Sequence, residues 1–237
     1  MEYKIIKLIQ ENKDTRTFRL VPVKGKVFDF LPGQFVMLSA KVVKNGKEEL
    51  VKRAYSLANA PSPEFIELTI RRIENGLMSN HVMTLKEGDV MHITGPFGKF
   101  VYEEHMNDII LLGGAHGIVP LMSIIRSVLK NDTDKKKSLK LFYSIRYQDD
   151  AIYETELKAL AQKHKNFKYV INTTQQVCSL DSCEEGRVDA NHIKKFIEKH
   201  LHEHFFFICG SPRFVEGMKE ILTKDGVDEK RIKSEGY

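Results

Sequence analysis

The sequence holds only three cysteines in 237 residues, at positions 178, 183 and 209. An odd set without dense spacing excludes a disulfide-stapled miniprotein and points to a reducing compartment rather than secretion. It also leaves no Cys-x4-Cys-x2-Cys run for a built-in plant-type cluster, which needs four ligands. Long apolar runs are missing as well. The longest stretch, 109–125, contains His116, three glycines and Pro120, and falls short of the ~20 apolar residues that a spanning helix needs. The opening Met1-Glu2-Tyr3-Lys4 has no apolar signal core, so a cytoplasmic chain is expected. Charge of one sign is scarce too: 37 basic against 32 acidic residues give +5. The one basic block, Lys135-Lys136-Lys137, reads as a solvated loop, and nothing clusters as nucleic-acid binders require. A hydrophobic fraction of 42% and a charged fraction of 29% exclude disorder and collagen-like repeats.

At about 150 residues per domain, this length predicts one to two domains. A chain this long buries about 70% of its unfolded surface, so it needs no metal or disulfide to fold. Its two halves have different periods. Strands are expected at 2–9, 15–21, 34–40, 65–71 and 89–94, with Ile66, Leu68 and Ile70 alternating against polar neighbours. Turns at Pro32-Gly33, Asn45-Gly46, Pro61-Ser62-Pro63 and Gly95-Pro96 separate them, and a short helix is expected at 77–85. Short strands so closely spaced predict an antiparallel β-barrel. Beyond about residue 105, strands at 109–112, 139–145, 167–173, 205–209 and 231–235 alternate with helices at 119–130, 154–164, 190–202 and 212–224. That alternation predicts an α/β, Rossmann-like parallel sheet covered on both faces. The boundary falls at 103–107, giving domains 1–104 and 105–237. There is no internal repeat.

Ligands of open α/β sheets lie outside the C-terminal ends of the strands. The first such end reads Gly113-Gly114-Ala115-His116-Gly117-Ile118-Val119-Pro120. Small residues there would let a pyrophosphate approach the backbone, and Pro120 suits the first turn of a helix. Alone, this is equally a tight strand-to-helix turn. Four further motifs accompany it: Arg53-Ala54-Tyr55-Ser56, Gly76-Leu77-Met78-Ser79, Cys209-Gly210-Ser211-Pro212 and the final Glu235-Gly236-Tyr237. In this order and spacing, across the whole chain, they resemble the ferredoxin–NADP reductase superfamily.

That resemblance implies bound FAD, and NADH or NADPH as cosubstrate. Arg53 would pair with the FAD diphosphate, Tyr55 would pack on the isoalloxazine, and Ser56 would hydrogen-bond near its hydride-accepting N5. Ala54 lies within the same motif, and Thr69, Ile70 and Arg71 are assigned to the flavin as well. Gly76, Met78 and Ser79 match the element that meets the diphosphate, with Ser79 offering a hydroxyl; a plain helix cap by Ser79 or Asn75 is the alternative. Stand-alone flavin reductases of the superfamily lack that full diphosphate site. Gly95-Pro96-Phe97-Gly98-Lys99-Phe100 reads as structural, a turn whose aromatics fill the seam between the halves.

On the nicotinamide side, Gly114, His116, Gly117, Ile118, Pro120, Arg146, Cys209, Gly210 and Tyr237 would bind the coenzyme. Ala115 and His116 stand where the family commonly has glycine and a small hydroxyl residue. A rearranged pocket, a His116 N–H donor, or a merely structural histidine are the readings. Cys209 would lie beside the nicotinamide C4, or else is a buried core cysteine. Tyr237 would cover the flavin face that the nicotinamide must occupy, and Glu235 would act nearby as a polar or proton-relay group; a frayed tail is the alternative for both. Ser56, Cys209, Glu235 and Tyr237 form the catalytic set. Arg146 with Gln175 and Gln176 favours NADH and leaves NADPH open. Cys178 and Cys183 are expected to be plain surface thiols rather than a reversible disulfide. His200, His202 and His204, spaced by two, face apart on a helix and read as a solvated helix end, so no metal is expected.

The resemblance thus implies a flavoprotein reductase passing a hydride from NAD(P)H to flavin and then single electrons to a separate acceptor. A ferredoxin or flavodoxin, acidic as a class, suits the +5 charge. A reductase of diffusible flavin or ferric iron, and an electron-transfer subunit inert outside a larger complex, are the alternatives.

Overall fold

The computed structural model describes every residue except 45, 135, 181 and 198–200. The chain divides into two compact units, Met1–Val101 with Met122–Ser127, and Tyr102–Leu121 with Val128–Tyr237.

The first unit is built on six antiparallel strands: β1 (Glu2–Asn12), β2 (Thr15–Pro22), β3 (Phe35–Lys44), β4 (Lys47–Ser56), β5 (Ile66–Arg71) and β6 (Val90–Phe97). They lie in the order β4-β3-β6-β1-β2-β5. Just past β4, Leu57 bridges Leu68 of β5, and the Ala58 amide donates to the Glu67 carbonyl at 2.9 Å. The chain leaving one outer strand of the sheet thereby meets the other, which is the beginning of a barrel closure. Tyr3, Phe18, Leu20, Val36, Leu68 and Ile93 fill the interior. Helix α1 (Leu77–Thr84) adds Met78 and Val82 to that core.

Strand β4 is a finding the sequence does not announce. Of its ten residues only Val51 is buried, so the apolar alternation that marks a half-buried strand never appears. It forms because it pairs along its whole length with β3, from Phe35 opposite Ser56 to Lys44 opposite Lys47. The fold also draws a helical segment into this unit. Ser123 donates to the Asn59 carbonyl at 2.7 Å and Arg126 to the Ala58 carbonyl at 2.7 Å. Arg126 and Arg19 both pair with the buried Glu67 carboxylate, at 3.3 and 2.8 Å. A carboxylate this deep requires such partners.

The second unit is a parallel sheet of β7 (Asp108–Gly114), β8 (Ser138–Ile145), β9 (Phe167–Thr173), β10 (Cys183–Glu185), β11 (Phe205–Gly210) and β12 (Ile232–Gly236). Its order is β10-β9-β8-β7-β11-β12. Helices α2 (Ile118–Asn131), α3 (Glu154–Lys163), α4 (Ala190–Ile197) and α5 (Pro212–Lys224) connect the strands. Ile109, Ile110, Leu111 and Leu112 are all at most 1% exposed, as a central strand covered on both faces demands. Strand order reverses between β7 and β11, so a crevice opens there, at the C-terminal ends of the two strands. This is the expected two-part architecture, an antiparallel sheet followed by an α/β parallel sheet.

Four local readings need correction. Cys178 and Cys183 form a disulfide with Cα atoms 6.1 Å apart; they are not plain thiols. Helix α4 is described over Ala190–Ile197 and a short 3₁₀ turn spans Leu201–Glu203, where one helix was expected to reach 202; residues 198–200 lie outside the described residues. The Phe196 and Ile197 carbonyls accept from the buried Lys140 ammonium. His204 is 2% exposed rather than solvated, because it sits beside the buried Phe206 ring; His202 is exposed, and His200 lies outside the described residues. Lys137, expected in a solvated loop, donates to the Glu104 and Met106 carbonyls and lies over the Tyr102 ring, while Lys136 pairs with Asp134. Among the described residues no helix is long and apolar enough to cross a membrane.

Candidate functional sites in the two units

In the first unit, β4 ends in the sequence Arg53-Ala54-Tyr55-Ser56. Arg53 and Ala54 are exposed, and Tyr55 and Ser56 are half-buried. Among the described residues the Arg53 guanidinium bonds only locally, from Nη1 to the Lys52 carbonyl at 2.8 Å, which leaves most of its donor fork facing solvent. Burial pushes the Tyr55 phenol up to about 12, with Arg53 pulling weakly the other way. The ring is therefore neutral at ordinary pH.

Helix α1 packs against β3 and β4 and starts at Gly76 with no side-chain cap. A helix start of this kind leaves its first amides without intrahelical partners, which suits an anion. Ser79 does not supply the free hydroxyl expected of it. Its Oγ accepts from the Ile73 amide at 3.1 Å and donates to the Gly76 carbonyl at 3.3 Å, tying the turn together. Nor does Met78 offer a side chain, since it is 2% exposed in the core. On β5, Ile70 is 1% exposed, and the Thr69 hydroxyl meets that of Thr17 at 2.7 Å inside the unit. Arg71 is exposed and pairs with Asp14 at 2.9 Å.

The turn at 95–100 shapes itself within this unit. Phe35 and Phe97 stand 5.9 Å apart, Gly98 lies against the Phe35 ring, and Gly33 against the Phe100 backbone.

In the second unit, β7 delivers Gly113 and Gly114 to the crevice and β11 delivers Cys209 and Gly210. The glycines are there first for the protein's own packing. A Cβ on Gly117 would fall 2.0 Å from the Cys209 carbonyl oxygen, and one on Gly114 or Gly210 would enter the Phe214 ring at 2.9 or 2.8 Å. Ala115 carries a left-handed φ of 49°, which accounts for glycine suiting that position. A 3₁₀ turn at Ala115–Gly117 leads into α2, whose N-cap Gly117 has no side-chain cap. Ile118 and Pro120 are buried and His116 is half-buried.

Strand β12 then brings the end of the sequence to the same crevice. Glu235 pairs with Cys209 across the ladder. Tyr237 donates its hydroxyl to the Gly114 carbonyl at 2.8 Å and its amide to the Gly210 carbonyl at 3.3 Å. It thus spans both strand ends while its side chain remains largely exposed. Burial pushes the Cys209 thiol up to about 12, and the neighbouring Glu235 adds to that. Burial also holds the Glu235 carboxyl above the ordinary carboxylate range, and among the described residues its buried Oε2 has no hydrogen-bond partner.

Comparison with known proteins adds the family. Residues 2–102 match the oxidoreductase FAD-binding domain and residues 111–220 the oxidoreductase NAD-binding domain. NADH-cytochrome b5 reductase 1 of Dictyostelium discoideum is 32% identical over 93% of this chain and 76% of its own length. The chain belongs to the ferredoxin–NADP reductase superfamily. It carries an oxidoreductase FAD-binding domain followed by an oxidoreductase NAD-binding domain. The glycine betaine monooxygenase reductase subunit of Pseudomonas aeruginosa is 30% identical over 98% of this chain, which spans 63% of that relative's length. The flavohem-like FAD/NAD-binding domain of nitric oxide dioxygenase from Vibrio cholerae shares the fold, with a TM-score of 0.89 at 21% identity, covering 100% of this chain and 98% of that one.

Within this chain, some structural contributors carry no motif. Tyr143 is fully buried opposite Gly113. Its hydroxyl accepts from the Ile152 amide at 3.3 Å and donates to the Asp150 carbonyl at 3.4 Å, with Tyr237 near enough to disfavour its ionisation further. Its place at the C-terminal end of a strand was the available signal. Arg146, after β8, is exposed. Gln175 and Gln176, after β9, accept from the Tyr147 hydroxyl at 2.8 Å and the Gln148 amide at 3.3 Å. Their role is thus at least partly to join two loops.

Proposed function

We propose that this chain is a reductase that takes electrons from NADH or NADPH and delivers them singly to a separate acceptor of ferredoxin or flavodoxin type. The single observation that carries the reading is the donor set of the first unit, where an exposed guanidinium accompanies an uncapped helix start. That pairing suits a diphosphate, and a reductase of diffusible flavin has no need of one. The residues therefore fit FAD. When bound, FAD would supply the conversion between two-electron and one-electron transfer.

The remaining roles follow from the side chains themselves. Arg53 and the first amides of α1 would neutralise the diphosphate. Tyr55, neutral through burial, would offer a flat apolar face with a polar tip, and Ser56 a hydroxyl at its edge. Gly114 and Gly210 would accept the nicotinamide end of the coenzyme at the switch point once Tyr237 leaves their carbonyls. Cys209 stays protonated there, so it serves as a neutral wall rather than a nucleophile. Glu235 holds its proton more tightly than an ordinary carboxyl and is placed to keep or release one beside Cys209. The +5 charge would steer an acidic acceptor.

Purification is the test. The protein should be yellow, carry FAD in stoichiometric amount, and bleach with NADH or NADPH, with steady-state rates deciding between the coenzymes. A colourless protein that turns over added riboflavin would replace this reading with diffusible-flavin reduction. Bound FAD with no soluble acceptor reduced would point to a subunit of a larger complex.

A further inference from the structure

The loop from β9 to β10 is fastened at two ends by different chemistry. Covalently, Cys178 is joined to Cys183, the first residue of β10. Non-covalently, the same loop leans on the turn that follows β8. Gln148 is the hub: its side-chain oxygen accepts from both the amide and the hydroxyl of Ser179, at 3.3 and 2.9 Å, while its own amide donates to Gln176. Tyr147 adds its bond to Gln175. Residues 175, 176, 177 and 179 are exposed and both cysteines are only half-buried, so these polar bonds compete with water. Each is individually weak. The disulfide is the strong tether.

Position gives this tether a consequence. Adjacent strands lie about 4.8 Å apart, so the end of β9 is roughly 10 Å from the end of β7, two strands away. A dinucleotide whose nicotinamide end sits at the switch point extends its adenosine end over the neighbouring strand ends, where side chains discriminate its ribose. Arg146, Tyr147 and Gln175 present themselves there. We infer that the Cys178–Cys183 disulfide holds the coenzyme's adenosine-end platform in its binding shape, and that reduction by a dithiol weakens coenzyme binding reversibly. The step balances: a dithiol is oxidised to its cyclic disulfide while the Cys178–Cys183 bond breaks. Two electrons and two protons pass to the cysteines, leaving two thiols. Cys209 is buried at the other strand end and takes no part. This inference rests on the coenzyme reading above.

The experiment compares the oxidised holoenzyme, the same protein after dithiothreitol treatment and removal, and a Cys178→Ser/Cys183→Ser double variant. Thiol titration under denaturing, non-reducing conditions should find one thiol before treatment and three after it; three at the outset overturns the inference. Calorimetry should then show NAD⁺ or NADP⁺ bound about three- to tenfold more weakly after reduction, the effect of losing one ordinary hydrogen bond. KM for the matching reduced coenzyme should rise alike, with kcat on ferricyanide within about twofold. Reoxidation should restore the treated protein, and the double variant should resemble the reduced form permanently. Equal affinity in all three proteins, with binding intact, overturns the tether alone. Absence of dinucleotide binding to the oxidised protein overturns the coenzyme reading and this inference together.

Discussion

The two units build their candidate sites by opposite means. At the parallel-sheet crevice, small residues are demanded by the protein's own packing: Gly117 lies against the Cys209 backbone, and Gly114 and Gly210 lie against Phe214. In the antiparallel unit, the candidate site is made of what packing leaves over, an exposed Arg53 and a helix start without a cap. Crevice residues should therefore be inseparable from stability, whereas Arg53 should be separable from it. A glycine motif is evidence for a ligand only after its structural duty has been subtracted.

The largest effect is expected at Gly117. In Gly117→Ala the new methyl would meet backbone at 2.0 Å, where no rotamer can relieve it, so the loss should be about 3 kcal/mol or more. For a chain of this size that lowers Tm by about 6–12 °C. A melting temperature within about 2 °C of wild type would mean that the crevice is looser than its geometry. Arg53→Ala is the counterpart. It should leave the Tm of the FAD-free protein unchanged within about 0.5 kcal/mol while weakening FAD binding by about 10- to 100-fold, the worth of a charge-assisted hydrogen bond. If instead stability falls and FAD affinity does not, the contrast between the units fails.

The same contrast explains what the sequence revealed. Alternation and apolar runs exposed elements whose side chains are buried by position, such as β5 at Ile66, Leu68 and Ile70, and β7 at Ile109–Leu112. Strand β4 stayed hidden because backbone pairing, not side-chain burial, creates it. Strand β10 has three residues, too few to show a period. The Cys178–Cys183 pairing depends on a loop closing back on β9, which spacing alone cannot determine. At the sites, motif position was legible but atomic duty was not. The Ser79 hydroxyl and the Thr69 and Met78 side chains all proved engaged in the unit's own interior, because a motif records where a chain turns and not which face each residue shows.

A smaller effect tests the departure at Ala115. Its left-handed φ of 49° costs an L-residue about 1–2 kcal/mol, and glycine would remove that while adding about 0.5–1 kcal/mol of unfolded-state entropy. Ala115→Gly should therefore stabilise the protein by about 0.5 kcal/mol, read as a rise in Tm of 1–2 °C, on the order set by chain length. A lower Tm would show that the Ala115 methyl makes a packing contribution larger than its backbone strain.

The smallest effect concerns Glu235, where the crevice meets titration. Burial raises its pKa in the folded chain, so the native state holds this proton more tightly than the unfolded state does. The stability linked to it is complete below the ordinary glutamate range and is lost as pH rises through the raised folded value. Glutamine cannot titrate. The Tm of Glu235→Gln should thus gain on wild type as pH climbs from about 4 to about 7, with the two proteins closest at the acid end. Parallel profiles would show that the carboxyl is better solvated than its position between Cys209 and the strand end implies. The substitution also removes a negative charge that helps push the Cys209 thiol up to about 12. In the variant, ultraviolet thiolate absorbance should therefore begin at lower pH than in wild type, although burial, the larger cause, keeps the thiol protonated at neutrality.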